Sequence, residues 1–307
     1  MSTSTGRVRP RRSGMHGLAL LVSLILVASA WVAPATGRAD LTGRIVVAGY
    51  GPELPLLQDL GRAFEKQHPG TAVDFEWDRT VRAVDLVKDG TADLAVTDHA
   101  PPGLEAHQLA QDGIAVIVNF ANPLREVTLQ QIRDLFTGRV TRWSDLDGAP
   151  TKVVVYHRAA EDNVARGFEQ SLGITEQLKD KPLVARTDQK ALRAVSGNDA
   201  AISYLSLAAA LKAQEDGIPI RILTIDKIDP GPPTVRDGRY PIRRPLLLLS
   251  RPQSTPLVRA FLEFVRSPAA SAIVSTLYVP AGPGTPAGTA PLGLGNDPTA
   301  PASPDRS

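Results

Sequence analysis

The chain contains no cysteine. Disulfide staples, thiolate metal sites, cysteine nucleophiles and a lipid-anchoring cysteine are thereby excluded. Several enzyme signatures are missing as well: none of G-x-S-x-G, S-x-x-K followed by K-T-G, H-E-x-x-H or G-x-x-x-x-G-K-[ST] stands in the 307 residues. The common hydrolase and nucleotide-triphosphatase chemistries go with them. Acidic residues are absent from the first 39 positions, which hold Arg7, Arg9, Arg11, Arg12 and Arg38. Without that segment, 29 basic residues face 32 acidic ones, so the formal +2 of the whole chain becomes −3. A nucleic-acid footprint is not supported.

What is present is ordinary globular material, 43% hydrophobic and 21% charged, in a chain about twice the usual single-domain length. Two domains, or one with appendages, are expected. Residues 1–16 are polar and basic, and residues 17–32 (GLALLVSLILVASAWV) are apolar, the order of a secretory signal. Small-x-small cleavage options follow at Ala28, Ala33 and Gly37, so residues 1–39 read as a signal peptide and the mature protein as periplasmic. An uncleaved anchor is the alternative, because the run is close to the lower limit for spanning a bilayer. Arg11-Arg12 gives a weaker alternative, a twin-arginine signal. Residues 281–307, rich in Pro, Gly, Ala and Thr, lack any helical or strand period and are expected to form a disordered tail.

Between these ends, β-branched runs alternate with helical spacing. Residues 44–48 form a β-branched run that stops at the breaker cluster Gly49-Tyr50-Gly51-Pro52. Leu54, Leu57, Leu60, Ala63 and Phe64 then recur with helical period until His68-Pro69-Gly70. Residues 71–77 read as a second strand, Val81, Val84 and Val87 as a helix closed at Gly90, and residues 92–96 as a third strand. Such βαβαβ order with parallel-sheet connections predicts an α/β fold. Further strands are expected at 114–118, 153–156, 201–204, 220–225 and 245–249. Helices are expected from the Thr128 N-cap onward, at 164–172 with Gly173 as C-cap, at 205–214 and at 258–265. Trp143, Phe136, Tyr204, Tyr240 and Phe261 read as packing residues.

Chemical motifs are weak. Gly49-x-Gly51 with Glu76 or Asp78 lacks the third glycine of a dinucleotide-binding turn. Asp98, His99, Glu105 and His107 match no metal-ligand spacing and read as solvated loop residues, so no metal or cofactor is expected. Glu53 with Asp162 is the one candidate acid/base pair, and without a partnered base or metal it does not point to an enzyme.

Three segments together carry a resemblance: Gly113-IAVIVNFANPLREVTLQQIRDLFTGRVTRWSDL, Pro233-TVRDGRYPIRRPLLLL and Phe261-LEFVRSPAASAIVSTLYVP. With them, the chain from about Ile45 to Pro280 resembles the periplasmic phosphate-binding proteins of ABC importers, a branch of the type II periplasmic binding proteins. The resemblance implies a two-lobed α/β fold with a hinge and an interlobe cleft. Residues 40–120 would form the first part of lobe I, 121–232 lobe II, and 233–280 the return to lobe I. It implies capture of a small anionic solute by lobe closure. The implied partner is the membrane part of an importer or a sensory membrane protein, and the protein would be a monomer without enzymatic activity.

The resemblance also implies a site. Thr80 matches the family's hydroxyl before the second helix, Asp98 its proton-accepting aspartate, Arg158 its arginine, and Leu54 a backbone N–H donor. The chain departs from the pattern at Glu53, where the family has a Thr, and at Asp162, Asn163 and Val164, where it has Ser-Gly-Thr. Two carboxylates thus stand where a phosphate would meet hydroxyls, which leaves open a sensory or accessory protein that no longer binds phosphate. Asp162 reads either as a plain helix N-cap or as a group facing the ligand, and it sits four residues after Arg158, within reach of the guanidinium.

Overall fold

Residues 41–78, 82–178 and 183–282 are described by the structure, a computed structural model. The expected leader, the tail beyond residue 282, Thr80 and the Val81 helix start lie outside them. Strand β1 (Gly43–Gly49) buries Ile45 and Val47. Helix α1 (Leu54–Gln67) lays Leu56, Leu57, Leu60 and Phe64 inward at helical spacing. Strand β2 (Thr71–Trp77) pairs parallel with β1 along its whole length. Helix α2 (Ala83–Asp89) ends at left-handed Gly90, and β3 (Leu94–Thr97) joins β1 parallel on its other side. The βαβαβ unit is as the hydrophobic periods predict.

Strand β4 (Glu105–Asn119) is much longer than the expected 114–118, because residues 105–112 alternate only partly and carry charge at Asp112. His107 and Glu105 therefore belong to a strand rather than a solvated loop. His107 is half-buried against Ser250 and Arg266. After β5 (Glu126–Val127), Thr128 caps α3 (Leu129–Phe136) in a capping box with Gln131. Next come β6 (Val154–Val155), α4 (Asn163–Leu172) closed at Gly173, α5 (Asp188–Ser196), β7 (Ala201–Ser206) and α6 (Leu207–Glu215). The expected strand 220–225 is two strands, β8 (Ile220–Ile222) and β9 (Thr224–Ile225), which pair with different partners. The chain continues through α7 (Pro232–Arg236), β10 (Arg243–Ser250), α8 (Pro256–Phe264), α9 (Pro268–Val274) and β11 (Val279–Pro280).

The main sheet runs β2-β1-β3-β10-β4-β7-β6, with β8 and β11 also on β4, while β5 and β9 form a separate ribbon. Strand β4 serves both halves. Residues 105–113 pair antiparallel with β10, and 114–118 pair antiparallel with β7. Two main apolar cores result. One gathers Ile45, Leu57, Phe64, Leu246 and Phe261, and the other gathers Val116, Phe136, Trp143, Phe168 and Tyr204. Two lobes therefore meet at β4 and β10, and the ends of β1, β3 and β6 open toward the space between them. All five aromatic residues expected in packing roles are buried. Among the described residues no helix is long and apolar enough to cross a membrane.

Candidate functional site

The loop between β1 and α1 is tightly made. A Cβ on Gly49 would lie 2.4 Å from the Trp77 ring, and the Trp77 indole N–H donates to the Gly51 carbonyl at 3.1 Å. Gly51 has φ +140, and a Cβ there would meet Glu53 Oε2 at 2.2 Å. Only glycine leaves room for the carboxylate that follows. Glu53 precedes α1 and is fully buried, and its side chain does not cap the helix. Its Oε1 accepts instead from Arg244 Nη2. The same guanidinium donates to Asp112 Oδ2 through Nε at 3.3 Å and Nη2 at 2.9 Å. Burial pushes the Glu53 carboxyl up to about 7, although Arg244 opposes the shift. Burial likewise raises Asp112 above its ordinary value, and the two carboxylates hold Arg244 charged. Leu54 is half-buried as the first residue of α1.

Asp98 follows β3, with its side chain 2% exposed. Its Oδ1 accepts from Arg166 Nε at 2.8 Å and lies 3.1 Å from His99 Nδ1. Burial works against its charged form, but His99, Arg166 and Arg244 outweigh it and hold the carboxyl below its ordinary value. Arg166 belongs to α4, on the other lobe. Tyr50 adds a second contact across the cleft, its hydroxyl donating to the Arg186 carbonyl at 2.5 Å.

Arg158 is 2% exposed. Its backbone N–H donates to the Tyr204 hydroxyl at 3.2 Å, and Tyr204 is itself stacked on Phe168 at 3.8 Å. The guanidinium has internal partners on two sides. Asp162 Oδ2 accepts from Nε at 3.1 Å and Nη2 at 2.5 Å, and Asp188 Oδ1 accepts from Nη1. Burial opposes the charge, and the two carboxylates reverse that and stabilise it. Asp162 also caps α4, its Oδ1 accepting the Val164 N–H at 2.8 Å. Cap and ion pair, set against each other as readings of the sequence, coexist on the two oxygens of one carboxylate. Asn163 Oδ1 accepts from Arg166 Nη2 at 2.5 Å, whereas the Val164 side chain is buried in the lobe core.

Thus Asp98 and Asn163 meet on Arg166, Arg158 and Asp162 pair with each other, and Glu53 turns to Arg244, while Leu54 only opens α1 and the Val164 N–H is taken by Asp162. Beside them a cavity of about 270 Å³ is lined from both lobes by Tyr50, Arg82, Thr97, His99, Asn163 and Arg166, among others. Sequence reading missed Arg244, Asp112 and Asp188. An Arg before Pro245 and an Asp before Gly113 look like solvated strand ends. Only the register that sets Arg244 directly opposite Asp112 shows them as a pair. Five carboxylates (Glu53, Asp98, Asp112, Asp162 and Asp188) share three guanidinium groups (Arg158, Arg166 and Arg244) here. Among the described residues no group of three or more His, Asp or Glu is placed to hold a metal ion.

Comparison with known proteins places these features in a wider set. A family described as PBP superfamily domain matches residues 34–269. The phosphate-binding protein PstS 2 of Streptococcus agalactiae is 30% identical over 111 residues, 34% of this chain and 38% of that protein. The match thus spans little more than a third of that relative's length. The phosphate-binding protein PstS of Bacillus subtilis is 22% identical over 251 residues, 76% of this chain and 78% of that protein. Among solved structures, an ABC-type phosphate transport receptor from Vibrio cholerae superposes with a TM-score of 0.66 at 24% identity. It covers 78% of this chain and 100% of its own. A Clostridium perfringens protein assigned as a phosphate ABC transporter substrate-binding protein, with phosphate bound, gives 0.70 at 22% identity and the same coverage.

Proposed function

The chain belongs to the PBP superfamily, and we propose that it is the extracytoplasmic solute-binding component of an ABC importer. It takes a small solute between its lobes and closes on it, a transport role rather than a catalytic one. In this reading residues 40–120 and 233–280 form one lobe, residues 121–232 the other, and residues 1–39 direct export to the periplasm. Phosphate is the ligand its relatives suggest. The observation that supports the reading is the cavity lined from both lobes by Tyr50, Thr97, His99, Asn163 and Arg166, with Asp98 bonded to Arg166 and Arg158 bonded to Asp162 at the start of α4. A buried guanidinium beside helix N-termini is suited to an oxyanion.

In this chain Asp162 and Asp188 occupy that guanidinium. An incoming anion about 4 Å from a second unit charge is disfavoured by roughly 4 kcal/mol at an effective dielectric of 20, or about three decades of affinity. Phosphate therefore binds the natural protein weakly, and the Asp162→Ser, Asn163→Gly, Val164→Thr triple variant gains affinity by a large factor. Calorimetric titration with phosphate at neutral pH tests both statements. Tight binding by the natural chain would mean that Asp162 swings off Arg158 when the ligand arrives. No gain in the triple variant, and none when Asp188→Asn is added to it, would remove phosphate as the solute.

A further inference from the structure

Asp112 and Arg244 face each other directly in the β4–β10 ladder. They sit one rung before Gly113 and Arg243, where that ladder ends and β4 passes on to β7. The pair therefore stands at the hinge between the lobes. Glu53 reaches the same guanidinium from the start of α1, and all three side chains are at most 2% exposed. Two carboxylates on one guanidinium leave a buried charge of −1, which is costly away from water. The cluster is also short of partners: Glu53 Oε2 and Arg244 Nη1 are buried without a hydrogen bond among the described residues.

The covering element comes from the other lobe. A Cβ built on Gly167 of α4 would lie 2.9 Å from Arg244 Cβ and 3.2 Å from its Cδ, so α4 lies directly on the arginine stem. We propose that the Glu53–Arg244–Asp112 cluster is a proton-binding site, that parting of the lobes lifts α4 from it and admits water, and that closing takes up a proton there. The proposal rests on the solute-capture reading only for the closing motion itself.

The groups facing Glu53 act in opposite directions, and burial decides the outcome. Arg244 from β10 favours its charged form, while burial, the larger effect, and Asp112 from β4 favour the neutral one. Tyr278, ahead of β11, is raised by burial and stays neutral. Asp188 from α5 acts on Asp112 in the raising direction, and Asp98 after β3 interacts with Arg244. With the carboxyl at about 7 when covered and drawn back toward its ordinary value once water reaches it, the closed form holds the proton more tightly. Closure is favoured as pH falls. The closed-to-open ratio drops by up to about 30-fold between pH 5.5 and 8.5, the limit reached when the opened carboxyl returns fully to 4.5.

Because the chain has no cysteine, Lys88→Cys and Lys190→Cys give a unique spin-label pair on exposed positions of the two lobes. In the full chain without added solute, the short-distance population should fall from pH 5.5 to 8.5. It should stay constant with Glu53→Gln in the same background. Asp112→Asn gives a second check, since losing the competing carboxylate should move the transition to lower pH. An unchanged distance distribution in the natural chain, or an equal pH response in Glu53→Gln, overturns the proposal. Solute-driven shortening of the distance at fixed pH is read separately, so loss of the proton effect alone leaves solute capture standing.

Discussion

Asp162 shows how one side chain changes the chemistry of a site without changing its frame. A serine at this position would satisfy the Val164 N–H as an N-cap equally well. The aspartate keeps that bond through Oδ1 and gives Oδ2 to Arg158. The helix start is thus preserved while the neighbouring cation is neutralised. Separate substitutions resolve the two roles. Asp162→Ser keeps the cap and loses the ion pair, whereas Asp162→Ala loses both, so the alanine variant should be about 1 kcal/mol the less stable in urea unfolding. Equal stabilities would mean that the cap contributes nothing beside the ion pair. Arg158→Met has a different consequence, because it strands Asp162 and Asp188 beside an apolar side chain. A loss of about 3–5 kcal/mol is expected, as for other broken buried pairs.

At the scale of elements, helix α4 decides how the lobes meet. Gly167 in its middle is an apparent weakness, since alanine normally favours a helix interior by about 0.5–1 kcal/mol over glycine. Its surroundings reverse that preference, because an added Cβ would stand 2.9 Å from Arg244 Cβ and 3.1 Å from Ile114 Cδ1. Arg244 Cβ is fixed by a central strand and cannot swing aside. Overpacking of this kind costs about 1–3 kcal/mol, so Gly167→Ala should be destabilising overall and should shift the spin-label pair toward longer distances. Unaltered stability and distance would mean that α4 does not bear on the hinge. Helix α4 itself was legible in the sequence, with Val164, Phe168 and Leu172 at helical spacing and Gly173 behind them, as were β1, α1 and β2. The first half of β4 was not, since a strand whose partners are distant in sequence shows its limits only through pairing. The site divides the same way. Arg158 with Asp162 lies within one turn of chain and was legible, while Glu53 with Arg244, 191 residues apart, depends on the register of β10 against β4. Helix α5, which brings Asp188 to Arg158, left no mark strong enough to be read.

For the molecule as a whole, the charged groups between the lobes set opposing limits on stability. Asp98 is held below its ordinary value, so its contribution is present at neutral pH and is lost as the medium becomes acidic enough to protonate it. Glu53 acts in the other direction. Its carboxyl moves from an ordinary 4.5 up to about 7 in the folded chain, so between those values the native state holds more protons than the unfolded one. Stability therefore falls as pH rises through that window. Once the pH is above the folded value, the accumulated loss is about 3 kcal/mol, taking 1.36 kcal/mol per unit. The raised Asp112 adds to the same limb. The urea midpoint of the full chain is accordingly expected to peak on the acid side of neutrality and to decline toward pH 8. Glu53→Gln removes that titrating group while keeping its shape and leaves only the contribution of Asp112, so its decline from pH 5 to 8 should be clearly shallower and its profile should cross that of the natural chain. A natural chain whose midpoint rises from pH 5 to 8 would mean that Glu53 is ionised throughout, with Arg244 outweighing the burial of both carboxylates.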